Sequence, residues 1–337
     1  MTSETKWNGP LSLIARYTGP HHVSLDTVME FEDSIVAAGK VTKVDDASAD
    51  LASAIAYRAW RLQNRFGIDL SRALAGAVAR YCKSNNQFVV LMGPHFRKCL
   101  PCFLAPGSKS IYLFDAWPED HDHIVKFAKD FKVANVFITS SQSAALLQRR
   151  LPDTRCHWVA EAIDVSHYRF RPTQEKTIDV LALGRKYDAH HHKIVGPLRA
   201  ARRNYLFETV KGQVVFPTRE EFIAGLARSK ISICVSSDIT HPERAAGIST
   251  MTVRYLQSMA SKCLVVGNAP AEMVELFGYD PVVPMDMANA ADQLAHLLDN
   301  YSQHEVLIER NYRTVCEAHT WHLRWRQIQQ LLAGVAA

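Results

Sequence analysis

Two short stretches in the second half of this 337-residue sequence gather residue types that handle anions. The first is LALGRK, residues 181–186, an apolar run that stops at Gly184 and continues into Arg185 and Lys186. A glycine lets backbone approach a ligand closely, and an arginine fork holds phosphate oxygens by paired hydrogen bonds. Lys193 brings a further cation to the same neighbourhood. The plainer reading of the stretch is a strand end with solvated charges. The second is GISTMTVRYLQSMASK, residues 247–262, where Ser249 or Thr250 is expected to cap a helix ending near Ser261. The N–H groups of Thr250, Met251 and Thr252 at such a helix start form an anion site suited to a diphosphate. Arg254 and Gln257, three residues apart, share one face of that helix.

Histidines and cysteines offer other chemistry, and the spacing limits it. His95, in MGPHFRK, follows an apolar run and stands at an expected strand end. The consecutive His190, His191 and His192 point in different directions on a helix, so they do not converge on one ion. His121 and His123 lack a third ligand in sequence, and Cys99 with Cys102 form a lone C-L-P-C with no second pair. No structural or catalytic metal is expected, and no cofactor.

These residues need elements to hold them. Short aliphatic runs alternate with stretches of helical period, which is the pattern of a parallel sheet with crossover helices, hence an α/β fold. Strands are expected at 11–17, 88–92, 111–114, 136–139 and 157–159, with helices at about 24–39, 49–83 (broken near Gly67), 120–131 and 141–150. The polar, proline-containing FRPTQEK, 170–176, then interrupts the pattern. It restarts with strands at 178–183, 214–216, 231–235 and 263–266 and helices near 190–203, 219–228, 250–261, 288–299 and 303–317. Two α/β domains joined by a linker are therefore expected. Ligands in open α/β sheets bind beyond the carboxyl ends of the strands, which makes the inter-domain cleft the expected site.

Composition excludes other classes. With 47% hydrophobic and 22% charged residues the chain is expected to fold rather than stay disordered. No apolar run reaches the length of a membrane span, and the start, MTSETKWNGP, lacks the pattern of a secretory signal, so a soluble cytosolic protein is expected. Seven cysteines, an odd number, do not suggest a disulfide framework. The net charge of +5 is spread over both halves, which argues against a nucleic-acid partner. Arg199, Arg202 and Arg203 form the densest basic group, usually a solvated face, and they suit peripheral contact with an anionic membrane, here the inner face.

Resemblance adds to this. The stretch TMTVRYLQSMASK, the following CLVV, then EMVELFGYDPVV and the closing HTWHLRW at 319–325 resemble the carboxy-terminal half of bacterial glycosyltransferases of the two-domain GT-B fold. The chain is most similar to the group related to glycosyltransferase family four and to spore-coat CgeB-type proteins (glycosyl transferases group 1). The similarity covers residues 178–325 and extends more weakly to VFITSSQSAALLQ, 136–148, and to EAIDVSHYRFRP, 161–172, which is similar to the family's inter-domain hinge.

The resemblance implies two Rossmann-like domains facing a cleft: an acceptor domain over 1–168, a nucleotide-sugar domain over 169–320, and a last helix, 321–337, packing back on the first domain. It implies that Gly184 and Arg185 face the donor diphosphate, Phe216 and its neighbours the base, and Thr250 to Thr252 the phosphates. Gln257 occupies the place of a family glutamate that holds ribose hydroxyls, and Ser249 that of an earlier glutamate of the pair. YLFDAWPEDHDH, 112–123, is similar to a segment ending in His-Asp; Phe114 replaces the histidine and Asp115 remains, a carboxylate suited to act as base toward an acceptor hydroxyl, with His95 beside it. GPHH, 19–22, sits where such proteins place an acceptor loop.

The function so implied is metal-independent hexosyl transfer from a nucleotide sugar to a saccharide or lipid-linked acceptor, in surface polysaccharide or glycolipid assembly. The alternatives are a sugar-nucleotide epimerase on the same fold and a non-catalytic GT-B binding protein.

Overall fold

A computed structural model describes residues 11–15, 25–44, 51–66, 84–184, 186–210 and 212–334. The chain divides into two compact units. One runs to Ala160 and takes up the chain again at His322; the other spans Glu161–Trp321.

The first unit is built on six strands, β1 (Leu11–Ile14), β2 (Val41–Val44), β3 (Asn86–Met92), β4 (Ser108–Phe114), β5 (Asn135–Ile138) and β6 (Arg155–Trp158). They form one parallel sheet in the order β2-β1-β3-β4-β5-β6. The central strands are buried along almost their whole length and apolar over their carboxyl-terminal parts, Phe88–Met92, Ile111–Phe114 and Val136–Ile138, as suits strands covered on both faces. Helices α1 (Asp26–Ala37), α2 (Leu51–Phe66), α3 (Leu100–Leu104), α4 (His121–Asp130) and α5 (Ser141–Arg150) connect them. Trp60 of α2 is buried in a cluster with Phe127 of α4 and Phe131 just after it, and its indole N–H donates to Asp130 Oδ2 at 2.7 Å. That bond satisfies the one polar atom the ring carries inward.

The second unit has five parallel strands, β7 (Ile178–Ala182), β8 (Tyr205–Leu206), β9 (Ser229–Cys234), β10 (Leu264–Gly267) and β11 (Val283–Pro284), in the order β11-β10-β9-β7-β8. Its helices are α6 (Asp188–Ala200), α7 (Arg219–Ala227), α8 (Ser237–Thr240), α9 (Pro242–Ala245), α10 (Val253–Ala260), α11 (Ala271–Phe277), α12 (Ala290–Asp299) and α13 (Glu305–Ala318). A capping box starts α7: Thr218 Oγ1 accepts from the Glu221 amide while the Glu221 carboxylate accepts from the Thr218 amide. Lys176, buried at the foot of β7, donates to the carbonyls of Ser229 (2.8 Å), Ser261 (3.1 Å) and Lys262 (2.8 Å) and ties three segments together.

The last helix, α14 (Trp321–Leu332), begins at the junction. Its Trp325 packs edge-on against Phe88 of β3, ring centroids 5.3 Å apart, and lies 6.4 Å from the Phe31 ring of α1. Arg324 Nε donates to the Ala160 carbonyl at 3.0 Å, and the Tyr112 hydroxyl donates to the carbonyl of Val159 at 3.1 Å.

The structure departs from the sequence expectations at identifiable places. The division falls at Ala160/Glu161, before the polar stretch at 170–176, because the intervening residues are bonded into the second unit. Ile163 exchanges backbone hydrogen bonds with His319 and Trp321, and the Tyr168 hydroxyl receives the Gln257 amide. No strand forms at 214–216: the Phe216 ring packs with its Cζ end against Gly225 of α7, where any Cβ would stand 2.1 Å from Cζ, and the segment pairs with no strand among the described residues. The strand there is instead β8, two residues at the sheet edge. The half-exposed edge strand β2 and the short β11 were also unanticipated. Part of the expected helix 49–83, residues 67–83, and the GPHH segment at 19–22 lie outside the described residues.

Candidate functional site

At the carboxyl end of β7 the backbone turns through Gly184, whose φ of 76° is open to glycine and strained for other residues. A side chain there would also collide, since an added Cβ would stand 2.7 Å from Arg254 Nη1 and 3.2 Å from its Cδ. Arg254, in the first turn of α10, lies across this glycine and donates from Nη1 to the Leu183 carbonyl at 2.9 Å. It is half-buried, and among the described residues no carboxylate pairs with it. A fixed guanidinium with donors left over, at a strand end, is built to receive an anion. Arg185 lies outside the described residues.

The start of α10 is arranged differently from the expectation. Its N-cap is Thr252, not Ser249 or Thr250, and the Thr252 side chain makes no capping bond. The Thr250 hydroxyl donates to Glu272 Oε1 at 2.6 Å, and the Met251 amide donates to the same oxygen at 2.8 Å. The Val253 amide donates to Glu161 Oε2. Two carboxylates of the second unit therefore fill a helix start that spacing alone offers to a phosphate.

Gln257 is buried and donates from Nε2 to the Tyr168 hydroxyl at 2.9 Å, an internal contact rather than an open one. Lys193 projects from α6 to the Met287 carbonyl, 2.5 Å away, beside β11 at the sheet edge. The structure thus brings Gly184 and Arg254 together, leaves Thr250, Met251 and Gln257 with internal partners, and does not draw Lys193 to them. Phe216 stands apart on α7.

A polar group that sequence reasoning missed lies at the ends of β9 and β10. The Ser236 amide donates to Asn268 Oδ1 at 2.9 Å, Asn268 Nδ2 donates to Ser236 Oγ at 2.6 Å, and Ser236 Oγ donates to Asp238. Ser249 Oγ reaches Ser236 Oγ at 3.4 Å, so the residue in the place of a family glutamate joins this network. Gly267 allows the close approach: a Cβ there would stand 1.7 Å from the Cys234 carbonyl oxygen. The usable signal was the pair of strand ends, since neither serine nor asparagine advertises itself in sequence.

In the first unit, Met92 and Phe114 are partners at the ends of β3 and β4, and the Gly93 amide donates to the Phe114 carbonyl at 2.9 Å. The loop carrying His95 and the turn at Asp115 therefore leave adjacent strand ends. His95 is exposed and precedes a 3₁₀ turn, Phe96–Cys99. Asp115 is half-buried with φ of 52°, a left-handed conformation that non-glycine residues adopt at a cost. Such strain is found where a side chain must be aimed.

Three further histidines, His121, His123 and His190, take structural places. His121 Nε2 lies 3.2 Å from the Ala116 carbonyl, and His123 stacks on Trp60. His190 is buried on α6 with Nε2 lacking a hydrogen-bond partner, and burial pushes it down to about 4, so it is neutral at pH 7. No group of three metal-ligating side chains occurs among the described residues.

Comparison with known proteins follows these features. Residues 175–330 match the glycosyl transferase-like family. No curated protein sequence matches the chain significantly. Among solved structures, a glycosyltransferase from Rickettsia africae is similar at TM-score 0.57 and 11% identity, over 97% of this chain and 99% of that one. HepE of Anabaena, solved with UDP and glucose, is similar at TM-score 0.57 and 10% identity, over 97% and 100%. TarM is similar at TM-score 0.52 and 13% identity over 77% of this chain, which spans only 58% of TarM's length. None of the described helices is long and apolar enough to cross a membrane. Residues 175–330 are thus similar to the glycosyl transferase-like family, and the chain has the two-unit α/β fold of these solved glycosyltransferases.

Proposed function

We propose that this chain is a glycosyltransferase that holds a nucleotide-sugar donor on the second unit, with Arg254 against Gly184 as the diphosphate contact and Arg185 as the neighbour of Gly184 in sequence. The observation that carries the reading is the half-buried Arg254 guanidinium, fixed by one bond to Leu183 and lacking a carboxylate partner among the described residues. A preorganised cation stabilises the charge that collects on the leaving diphosphate as the glycosidic bond breaks. The filled amides of Met251 and Val253 shift the burden from the helix start to the side chain. The Thr252 hydroxyl, buried and without a hydrogen-bond partner among the described residues, is a further donor of that segment. Backbone next to Phe216 is the candidate contact for the base. UDP is the first nucleotide to try, since HepE was solved with it.

For the acceptor, Asp115 is the proposed base, taking the proton of the attacking hydroxyl, and His95 orients that hydroxyl. A saccharide or lipid-linked acceptor, a role in surface polysaccharide or glycolipid assembly, and work in the cytoplasm at an anionic membrane face complete the proposal. Thiols at Cys156, Cys234, Cys263 and Cys316 suit a reducing compartment.

The test is thermal unfolding of wild type, Arg254→Ala and Arg185→Ala against UDP, GDP, TDP, ADP and CMP. A nucleotide at about a hundred times its dissociation constant stabilises by roughly 2.7 kcal/mol, or about 5–10 °C for a domain of this size. One nucleotide is expected to shift wild type, and Arg254→Ala is expected to lose the shift. If the Arg254→Ala shift equals that of wild type, the assignment fails. Labelled donor then separates the reactions: a transferase turns over with acceptor, an epimerase consumes donor alone, and a binding protein does neither.

A further inference from the structure

Helix α2 has two faces that do different things. Ala56, Ala59 and Trp60 turn into the core of the first unit, and Ser53 Oγ donates to the Arg97 carbonyl at 3.1 Å. On the other side Leu51, Ile55, Arg58, Leu62, Arg65 and Phe66 are all exposed, Leu51 by 77% and Phe66 by 60%. The steps between them, four, three, four, three and one, keep all six on a single stripe, because residues three and four apart stack along a helix. Over the 16 residues of α2 the stripe is about 24 Å long. Arg61 flanks it, and α2 contains no acidic residue. Among the described residues no carboxylate pairs with Arg58, Arg61 or Arg65. Arg65 instead lies over the Phe66 ring at 5.3 Å.

Large apolar side chains exposed side by side are unfavourable in water, and the arginines interleaved with them fit a partner that is apolar and anionic at once. We propose that this face of α2 is the membrane-docking surface of the protein and that its occupant is an anionic lipid surface. Leu51, Ile55, Leu62 and Phe66 would enter the acyl boundary while Arg58, Arg61 and Arg65 reach headgroup phosphates with their apolar stems laid along the interface. Charge decides the occupant. A second copy docking face to face would oppose three arginines to three arginines, whereas a lipid phosphate surface supplies the opposite sign. The Arg199, Arg202 and Arg203 group is a weaker candidate, since Arg203 is already paired with Asp299. The inference names the surface for the membrane contact proposed above and is independent of the donor site.

The experiment is flotation of the full chain with vesicles of phosphatidylcholine alone and with about a third phosphatidylglycerol, at low and high salt. Wild type is expected to float only with the anionic vesicles and to be released by salt. Arg58→Gln with Arg65→Gln should weaken binding about thirtyfold, from about 1 kcal/mol per basic residue at an anionic surface. Leu62→Ser with Phe66→Ser should weaken it at least tenfold. All four positions are exposed, so unfolding midpoints and nucleotide shifts should stay at wild-type values, which separates lost docking from lost folding. Absence of wild-type binding overturns both the surface and the membrane contact. Wild-type binding that the α2 variants leave unchanged, or that only Arg199→Gln with Arg202→Gln removes, overturns the surface alone. A dimer in solution that the Leu62→Ser, Phe66→Ser variant dissociates assigns the face to a second copy and also overturns it.

Discussion

The Arg254 guanidinium over Gly184 and the amides at the start of α10 lie within one helical turn in sequence and look equally suited to a phosphate, yet the cation keeps donors in reserve while the Met251 and Val253 amides are taken. Thr250, Met251 and Val253 donate to Glu272 and Glu161, while among the described residues the guanidinium of Arg254 has one backbone partner, the Leu183 carbonyl. The difference teaches that a helix N-terminus is a site only if its own chain has not supplied the anion. A side-chain cation fixed by backbone keeps donors in reserve, and a satisfied amide has none.

The contrast can be broken from either side. Glu272→Ala should have the largest effect, because it leaves the buried Thr250 hydroxyl and Met251 amide without an acceptor, roughly 4 kcal/mol for two donors to a carboxylate. Denaturant titration measures it, and a loss under about 1 kcal/mol would mean water replaces the carboxylate freely. If the same variant binds UDP more tightly than wild type, the amides belong to the donor site after all. His190 tests the adjoining helix α6. Its lowered value means the unfolded chain binds the proton first as pH falls from 6.5 toward 4, so stability is full above 6.5 and declines through that window, by roughly 3 kcal/mol. His190→Leu should flatten that part of the pH profile; an unchanged slope would assign it to other groups.

Gly184→Val sharpens the open side. It forces a β-branched residue to φ of 76° and pushes Arg254 off its seat, costing about 1–2 kcal/mol of stability and about tenfold in nucleotide affinity by the same conversion. Isothermal titration that finds wild-type affinity would remove Gly184 from the site. Lys193→Ala should do least, within about 0.5 kcal/mol of wild type and with the nucleotide shift intact, because its ammonium is held at the Met287 carbonyl. A lost shift would return Lys193 to the diphosphate.

Much of the architecture was legible because alternation of buried aliphatic runs and helical stretches is a local property. The runs at 88–92, 111–114, 136–139, 178–183 and 231–235 all overlie strands. Two-residue edge strands such as Tyr205–Leu206 carry too little pattern to be read, and Val214 to Phe216 carried the pattern without a neighbour to pair with. The site was legible only in its residue types. Glu272 stands 21 residues after Met251, and Glu161 stands 92 before Val253, so no spacing rule could foresee that they fill the α10 amides. Arg254 and Gly184 were both candidates, but that one lies across the other is a fact of packing between β7 and α10.

The way α14 completes the first unit bears on how the protein is made. Trp325 is 2% exposed among Phe31 and Phe88, so the core around those rings waits for a ring encoded only after the whole second unit. Translation proceeds at about 5–20 residues per second and domains tend to fold as they emerge. The second unit is contiguous from Glu161 to Trp321 and needs nothing translated after it, while the nascent first unit holds an unfilled aromatic slot until residue 325 follows. Chaperone demand during synthesis should therefore fall on the amino-terminal half, although it is translated first.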